Sequence, residues 1–277
     1  MNALILSLAL CVPLQTTWFV DDDADCTIAN GSHRRPFCTL QDALDASSPG
    51  DRVLLFPGSY SGSSAHHPLN IEAVTPGSVT IGHLNLRGGS IRGLEITGNV
   101  SAPDSDLSLE WCDVGSVLGN GTLTADHCRF QSIDWWHRIT LERCLVTYEL
   151  RAAPNGPDWP STVTELRHCT INRIKHLDGG GLLYSSIVYD LKNFPDWGEY
   201  GGWYLGFDSC VRSYYQLSPT RCLTGINPQL DLDWKPMKHS PCIDASNEPG
   251  GVDGDLDGAA VWDMGCFEYQ HPRAYGQ

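Results

Sequence analysis

Two stretches of the chain carry the same three residues, Pro157-Asp158-Trp159 and Pro195-Asp196-Trp197, and the second runs on through Tyr200 to Trp203. Between them stands Arg173-Ile-Lys175-His176. The flat faces of Trp159, Trp197, Trp203 and Tyr200 suit stacking on sugar rings, with carboxylates and cations beside them to hydrogen-bond hydroxyls. Asp158 and Asp196 are a carboxylate pair of the kind an inverting glycosidase uses as acid and base, if the fold sets them far enough apart to admit a water. Arg173, Lys175 and His176 offer a different chemistry, abstraction of a proton from a uronate whose carboxylate is neutralised by calcium or another cation. The same tryptophans also have a purely structural use, pinning their loops to the body of the protein.

A second cluster, Asp253-x-Asp255-x-Asp257-Gly258, alternates carboxylates and ends on glycine as a calcium loop does. Met264 stands where an EF-hand would place its bidentate Glu, so a calcium site here needs Asp263 or Glu268 to complete it; the other reading is a solvated acidic turn. No CxxC pair or Cys/His spacing suggests zinc, and calcium is the one cofactor the sequence points to.

Residues so far apart in the chain need a scaffold that brings them together, and the sequence contains one as a repeat. Its frame is apolar, two free, Cys or small or apolar, one free, apolar, two free, usually apolar. It reads Ile91-x-x-Leu94-x-Ile96, Leu109-x-x-Cys112-x-Val114, Ala125-x-x-Cys128-x-Phe130 and Leu141-x-x-Cys144-x-Val146. It continues as Leu166-x-x-Cys169-x-Ile171, Leu183-x-x-Ser186-x-Val188 and, more weakly, Phe207-x-x-Cys210-x-Arg212. The period-2 step places two side chains inward and the interruptions are corners, which is a solenoid of short strands. The central column steps by 18, 16, 16, 25, 17 and 24 residues, one circuit per copy with two circuits enlarged. Both enlargements follow the same phase, after Leu150 and after Leu191, and both carry Pro-Asp-Trp. They should therefore project from one flank about 10 Å apart, with residues 175–178 between them. Cys112, Cys128, Cys144 and Cys169 should form an inward ladder of small packing groups.

The formal charge of −15 and pI near 4.9 disfavour nucleic acid and anionic membrane surfaces as partners. Residues 138–177 are a local exception, with six Lys or Arg against four Asp or Glu. Residues 3–12 are apolar and too short to span a bilayer, which reads as a secretory h-region within a signal peptide covering residues 1–17. Ten cysteines remain beyond it, consistent with an oxidising compartment, and Cys26 with Cys38 is the first expected disulfide. The mature chain is thus expected outside the cell or on its surface, with no membrane span.

The segments Trp18-Phe-Val-Asp-Asp-Asp, Pro36-Phe-Cys-Thr-Leu-Gln-Asp-Ala-Leu and Pro49-Gly-Asp-Arg-Val-Leu-Leu-Phe-Pro-Gly-Ser-Tyr60 resemble the opening of bacterial pectin-lyase-like β-helix proteins. Asn227-Pro-Gln-Leu, Ser240-Pro-Cys-Ile-Asp-Ala and Asp263-Met-Gly-Cys-Phe-Glu-Tyr269 resemble the closing segment of the secreted "choice-of-anchor Q" group. The resemblance implies an all-β fold, a single right-handed parallel β-helix with a short N-terminal capping helix at about 39–46. It also implies export and leans towards polysaccharide contact. Arg173-Ile-Lys175 matches the Arg-x-Lys element of β-helix polygalacturonases, but their Asn-x-Asp, Asp-Asp and Gly-His-Gly elements are missing from the coils before Arg173.

The expected organisation is a cap over 18–52, the β-helix over 53–230 and a closing segment over 231–277. Three functions stay open. The first is a secreted module that binds polysaccharide or a cell-surface glycan without catalysis; the others are a polysaccharide lyase or glycoside hydrolase, and an inert envelope solenoid.

Overall fold

The computed structural model describes residues 15–135, 137–152, 164–177, 181–192, 204–207, 209–213, 217–220, 222–237 and 239–242. Side chains 176, 177, 192, 204, 207, 213 and 217–219 lie outside that description, as do all residues of both Pro-Asp-Trp stretches and of the 253–263 cluster.

Each repeat copy contributes one short strand before its corner and one after it, and the two sets stack into two parallel sheets. The described residues form an 11-stranded and a 12-stranded sheet. Ile91, Leu109, Ala125, Leu141, Leu166 and Leu183 fall in register along the first sheet, and all are buried. Ile96, Val114, Phe130, Val146, Ile171 and Val188 do the same along the second. A parallel β-helix results, and its core is the space between these two columns.

The corner joining the sheets places a residue in the left-handed region, Gly93 in the first copy and a non-glycine residue in the next five, at Trp111, His127, Arg143, His168 and Ser185. The next residue then points inward, which is why Cys112, Cys128, Cys144 and Cys169 are fully buried. Their thiols are free and donate to backbone carbonyls, as Cys144 Sγ does to Glu142 at 3.1 Å. Ser186 and Ser209 continue the ladder with the same use of carbonyls: Ser186 Oγ lies 2.8 Å from the Tyr184 oxygen.

The seventh copy is one residue out of the expected frame. Tyr184 pairs with Phe207 and Leu183 with Gly206, so the inward slots are Gly206, Ser209 and Val211. A glycine in the apolar slot removes the hydrophobic signal there, and a one-residue slip reverses every side chain. Cys210 therefore stands beside the thiol ladder, and Arg212 faces solvent.

The ends are closed differently. Leu40–Ala46 is the helix of the cap, with Thr39 as N-cap accepting from Asp42 N at 3.2 Å and Leu40, Ala43 and Leu44 buried. Thr17–Val20 is the terminal strand of the 11-stranded sheet, paired with Arg52–Leu55. Asp51, in the Pro-Gly-Asp turn, holds that strand by accepting from Thr16 N, Trp18 Nε1 and Ser48 N at 2.9, 3.0 and 2.9 Å. Cys26 and Cys38 are disulfide-bonded in the loop between, with Cα atoms 5.6 Å apart. No described helix is long and apolar enough to cross a membrane.

Candidate functional site

The outer face of the 12-stranded sheet carries a charged wall on four consecutive strands, Arg129–Trp135, Leu145–Ala152, Thr170–Leu177 and Ile187–Lys192. Ile133, Leu150, Ile174 and Leu191 point inward in register. The residues flanking them point outward in two columns. One reads Ser132, Glu149, then Arg173 beside Asp190; the other reads Asp134, Arg151 and Lys175.

Bulges aim this wall. Val146 to Leu150 spans one residue more than Ile171 to Ile174 opposite, and the same strand is also one residue longer than its other neighbour. The extra residue turns Glu149 down so that its side chain is 4% exposed, while Tyr148 stands out at 56%. Glu149 is hydrogen-bonded to Arg151 Nε and lies 3.9 Å from Arg173. The Glu149 carboxylate beside Arg151 holds that guanidinium above its ordinary pKa. Asp134 approaches Arg151 at 3.8 Å from the other side. Arg173 is likewise held between Glu149 and Asp190, the latter at 3.4 Å, and its buried Nε has no hydrogen-bond partner among the described residues. A second bulge follows Lys175, at His176.

Two of the residues singled out from the sequence are thus together on one wall: Arg173 and Lys175, on the same strand and the same face. His176 shares that strand. The strands preceding residues 153–163 and 193–203 flank Thr170–Leu177 on either side. Asp158, Trp159, Asp196, Trp197, Tyr200 and Trp203 lie outside the described residues, as do Asp253, Asp255, Asp257 and Asp263 of the calcium expectation. Among the described residues, Asp21, Asp22 and Asp23 are the group of three close enough to share a metal ion, each with an oxygen within 4.8 Å of the others.

Sequence reasoning missed Glu149 and the aromatic border of the wall. Tyr189 packs edge-on against Trp234 of the closing segment at 5.8 Å, donates to Asn227 Oδ1 at 3.3 Å and lies under the Arg212 guanidinium at 5.1 Å. Tyr189 immediately precedes Asp190, the ion-pair partner of Arg173, on the strand Ile187–Lys192. Nothing in the repeat frame could reveal this, because Trp234 comes from beyond the last copy.

The other sheet bears a shallow groove of about 240 Å³ lined by Ser108, Glu110, Thr124, Asp126, Thr140 and Glu142. Its carboxylates are already paired: Asp126 with Arg143 and His127, Glu142 with Arg143, and Glu110 with Arg92. Trp111 and His127 stack at the adjoining corner with centroids 3.9 Å apart. The three acidic residues stand at one phase of three successive copies, a signal that stacking the copies would have exposed.

No protein-family model matches the chain, and no curated protein matches it. Among solved structures, pectate lyase Pel9A aligns with a TM-score of 0.51 at 11% identity, over 92% of this chain and 96% of that one. A rhamnogalacturonan lyase aligns with a TM-score of 0.44 at 12% identity, over 91% of this chain and 100% of that one. The likeness to the first is one of fold alone, the parallel β-helix described above.

Proposed function

We propose that this is an exported β-helix protein that binds polysaccharide on the outer wall of its 12-stranded sheet. The observation that carries the reading is the partly exposed guanidinium and amine set of Arg151, Arg173 and Lys175, with Tyr189 on the next strand and Trp234 packed on Tyr189. Guanidinium forks recognise carboxylates in two-point geometry, and the buried Glu149 preorganises two of them. Aromatic rings beside them provide stacking faces. A carboxylate-bearing sugar polymer matches this set better than a neutral one, and the local positive excess of residues 138–177 supports the approach of such a chain. Export is supported by the apolar residues 3–12 and the Cys26–Cys38 disulfide, and placement in the choice-of-anchor Q group by the closing motifs.

The Arg173 and Lys175 pairing on one face also favours a second reading, a lyase in which one of the two removes a proton while the other holds the sugar carboxylate. The pectate lyase likeness is consistent with it but does not supply its residues. Titration of the purified chain with polygalacturonate and with a neutral glucan, alongside ultraviolet detection of unsaturated product, tests both. Uronate binding that Arg173→Ala and Lys175→Ala each weaken, without product, is the expected result, and product would move the function to the lyase. Equal failure to bind either polymer would leave an inert solenoid and overturn the proposal.

A further inference from the structure

Cys210 and Cys242 are both fully buried and pack together with Ile187 in a small cluster of their own, set apart from the main core, with Leu223 and Leu230 against it. The frame correction explains the place. Cys210 pairs in register with Ile187, on the outer side of the last strands of the 12-stranded sheet, and Cys242 arrives there from the closing segment. Among the described residues the backbone of that segment bonds to itself and not to the strands of the sheet: Asp231 N donates to Lys235 O and Met237 N to Gln229 O, both at 2.8 Å, and Ser240 Oγ donates to Pro228 O at 2.5 Å. Such a segment, laid on a wall with few hydrogen bonds, needs a tether, and at the opposite end of the solenoid Cys26–Cys38 supplies one.

We propose that Cys210 and Cys242 are a disulfide-forming pair that fastens the closing segment to the outer wall. The link would hold Trp234 and Asn227 on Tyr189, next to Arg173 and Asp190. Cys242 lies close enough to push the Cys210 thiol's pKa up, burial acting in the same direction. With oxidised glutathione as oxidant, one of the two cysteines loses its proton, and its thiolate attacks one glutathione sulfur and expels a glutathione thiolate. The other then gives up its proton, attacks the protein sulfur of the mixed disulfide and expels the second. Two protein thiols and one oxidised glutathione become one protein disulfide and two reduced glutathiones. Local opening of the weakly paired segment admits the reagent.

The test equilibrates the full-length chain with oxidised glutathione, blocks free thiols with N-ethylmaleimide at acidic pH, and digests without reduction using trypsin and an Asp-specific protease. The four cysteines near the end separate, because Cys210 falls in peptide 208–212, Cys222 in 222–230 and Cys242 in 239–243, while Cys266 lies beyond Asp263. The expected product is 208–212 joined to 239–243. Cys242 joined to Cys222 or Cys266, or both thiols still blocked by maleimide, overturns the proposal. As a second measurement, the reductant-induced fall in melting temperature should shrink in Cys242→Ala, which keeps Cys26–Cys38; an unchanged fall counts against the pair.

Discussion

Glu149 and Arg173 face each other on adjacent strands at 3.9 Å, with the carboxylate buried and the guanidinium 39% exposed. The bulge in Leu145–Ala152 creates this inequality, and it makes Glu149 the anchor on which Arg151 and Arg173 are both set. Glu149→Gln keeps the shape and removes the charge. It should lower stability by about 1–2 kcal/mol, the partners being partly solvated, and should strengthen uronate binding at low salt by freeing positive charge. Chemical denaturation and salt-dependent titration read the two effects, and weaker binding at every salt concentration would show that positioning by Glu149 outweighs its charge.

Acid should loosen the cap first. Burial acts to raise the Asp51 pKa, but the donors from Ser48, Thr16 and Trp18 outweigh it and the carboxyl sits below its ordinary value. A carboxyl depressed in the folded state contributes stability above its unfolded pKa of about 3.9 and loses it as pH falls through the folded value. Asp126, held low by His127 and Arg143 against the opposing effect of burial, acts in the same sense. Melting curves should thus fall below about pH 4. Asp51→Asn should be less stable than the parent at neutral pH, with the gap closing in acid; a constant gap would mean that Asp51 acts through shape alone.

The inward ladder distinguishes two small replacements. Cys144→Ser should cost about 1 kcal/mol, because Ser186 and Ser209 already occupy equivalent slots with their hydroxyls on backbone carbonyls. Cys144→Asp would bury a carboxylate in the apolar ladder and should cost about 3 kcal/mol or more. Equal melting temperatures for the two variants would contradict the burial of this column.

The contrast between inward and outward positions explains what was legible in the chain. Leu109, Cys112 and Val114 repeat because each must fill the same space in every circuit, so six copies could be aligned from their residues alone. The seventh slipped because Gly206 fills its slot without an apolar side chain. Outward positions obey no such rule. Arg173 and Lys175 could be placed on one face by alternation, whereas the burial of Glu149 depends on a bulge between Val146 and Leu150 that no spacing announces. Most of the left-handed corners were equally hidden, since Trp111, Arg143 and Ser185 are not residue types that favour that conformation.

Gly89 is a position where backbone approach dictates the residue. Its φ is 111°, and a Cβ there would lie 1.9 Å from the Leu69 carbonyl oxygen of the preceding coil. Gly89→Ala should force the strands Leu69–Ala73 and Gly89–Arg92 apart and destabilise the chain by about 2 kcal/mol or more. Wild-type stability in that variant would contradict the close approach.

Removing the aromatic border and the two Pro-Asp-Trp stretches in turn tests whether either contacts the sugar of the proposed function. Trp234→Ala takes away the ring beside Tyr189 without touching Arg173 or Lys175, and should weaken uronate binding about tenfold, the value of one good stacking contact. Trp159→Ala with Trp197→Ala should abolish binding with little change in melting temperature if those rings are platforms, and should lower the melting temperature first if they are clamps. Single replacements of Asp158, Lys175, His176 and Asp196 then test for chemistry: an acid or base would lose about a hundredfold or more in turnover while binding persists. If all these variants bind as the parent does, the polysaccharide contacts a different face of the helix, and the shallow groove over Thr124 and Asp126 becomes the next surface to probe by substitution.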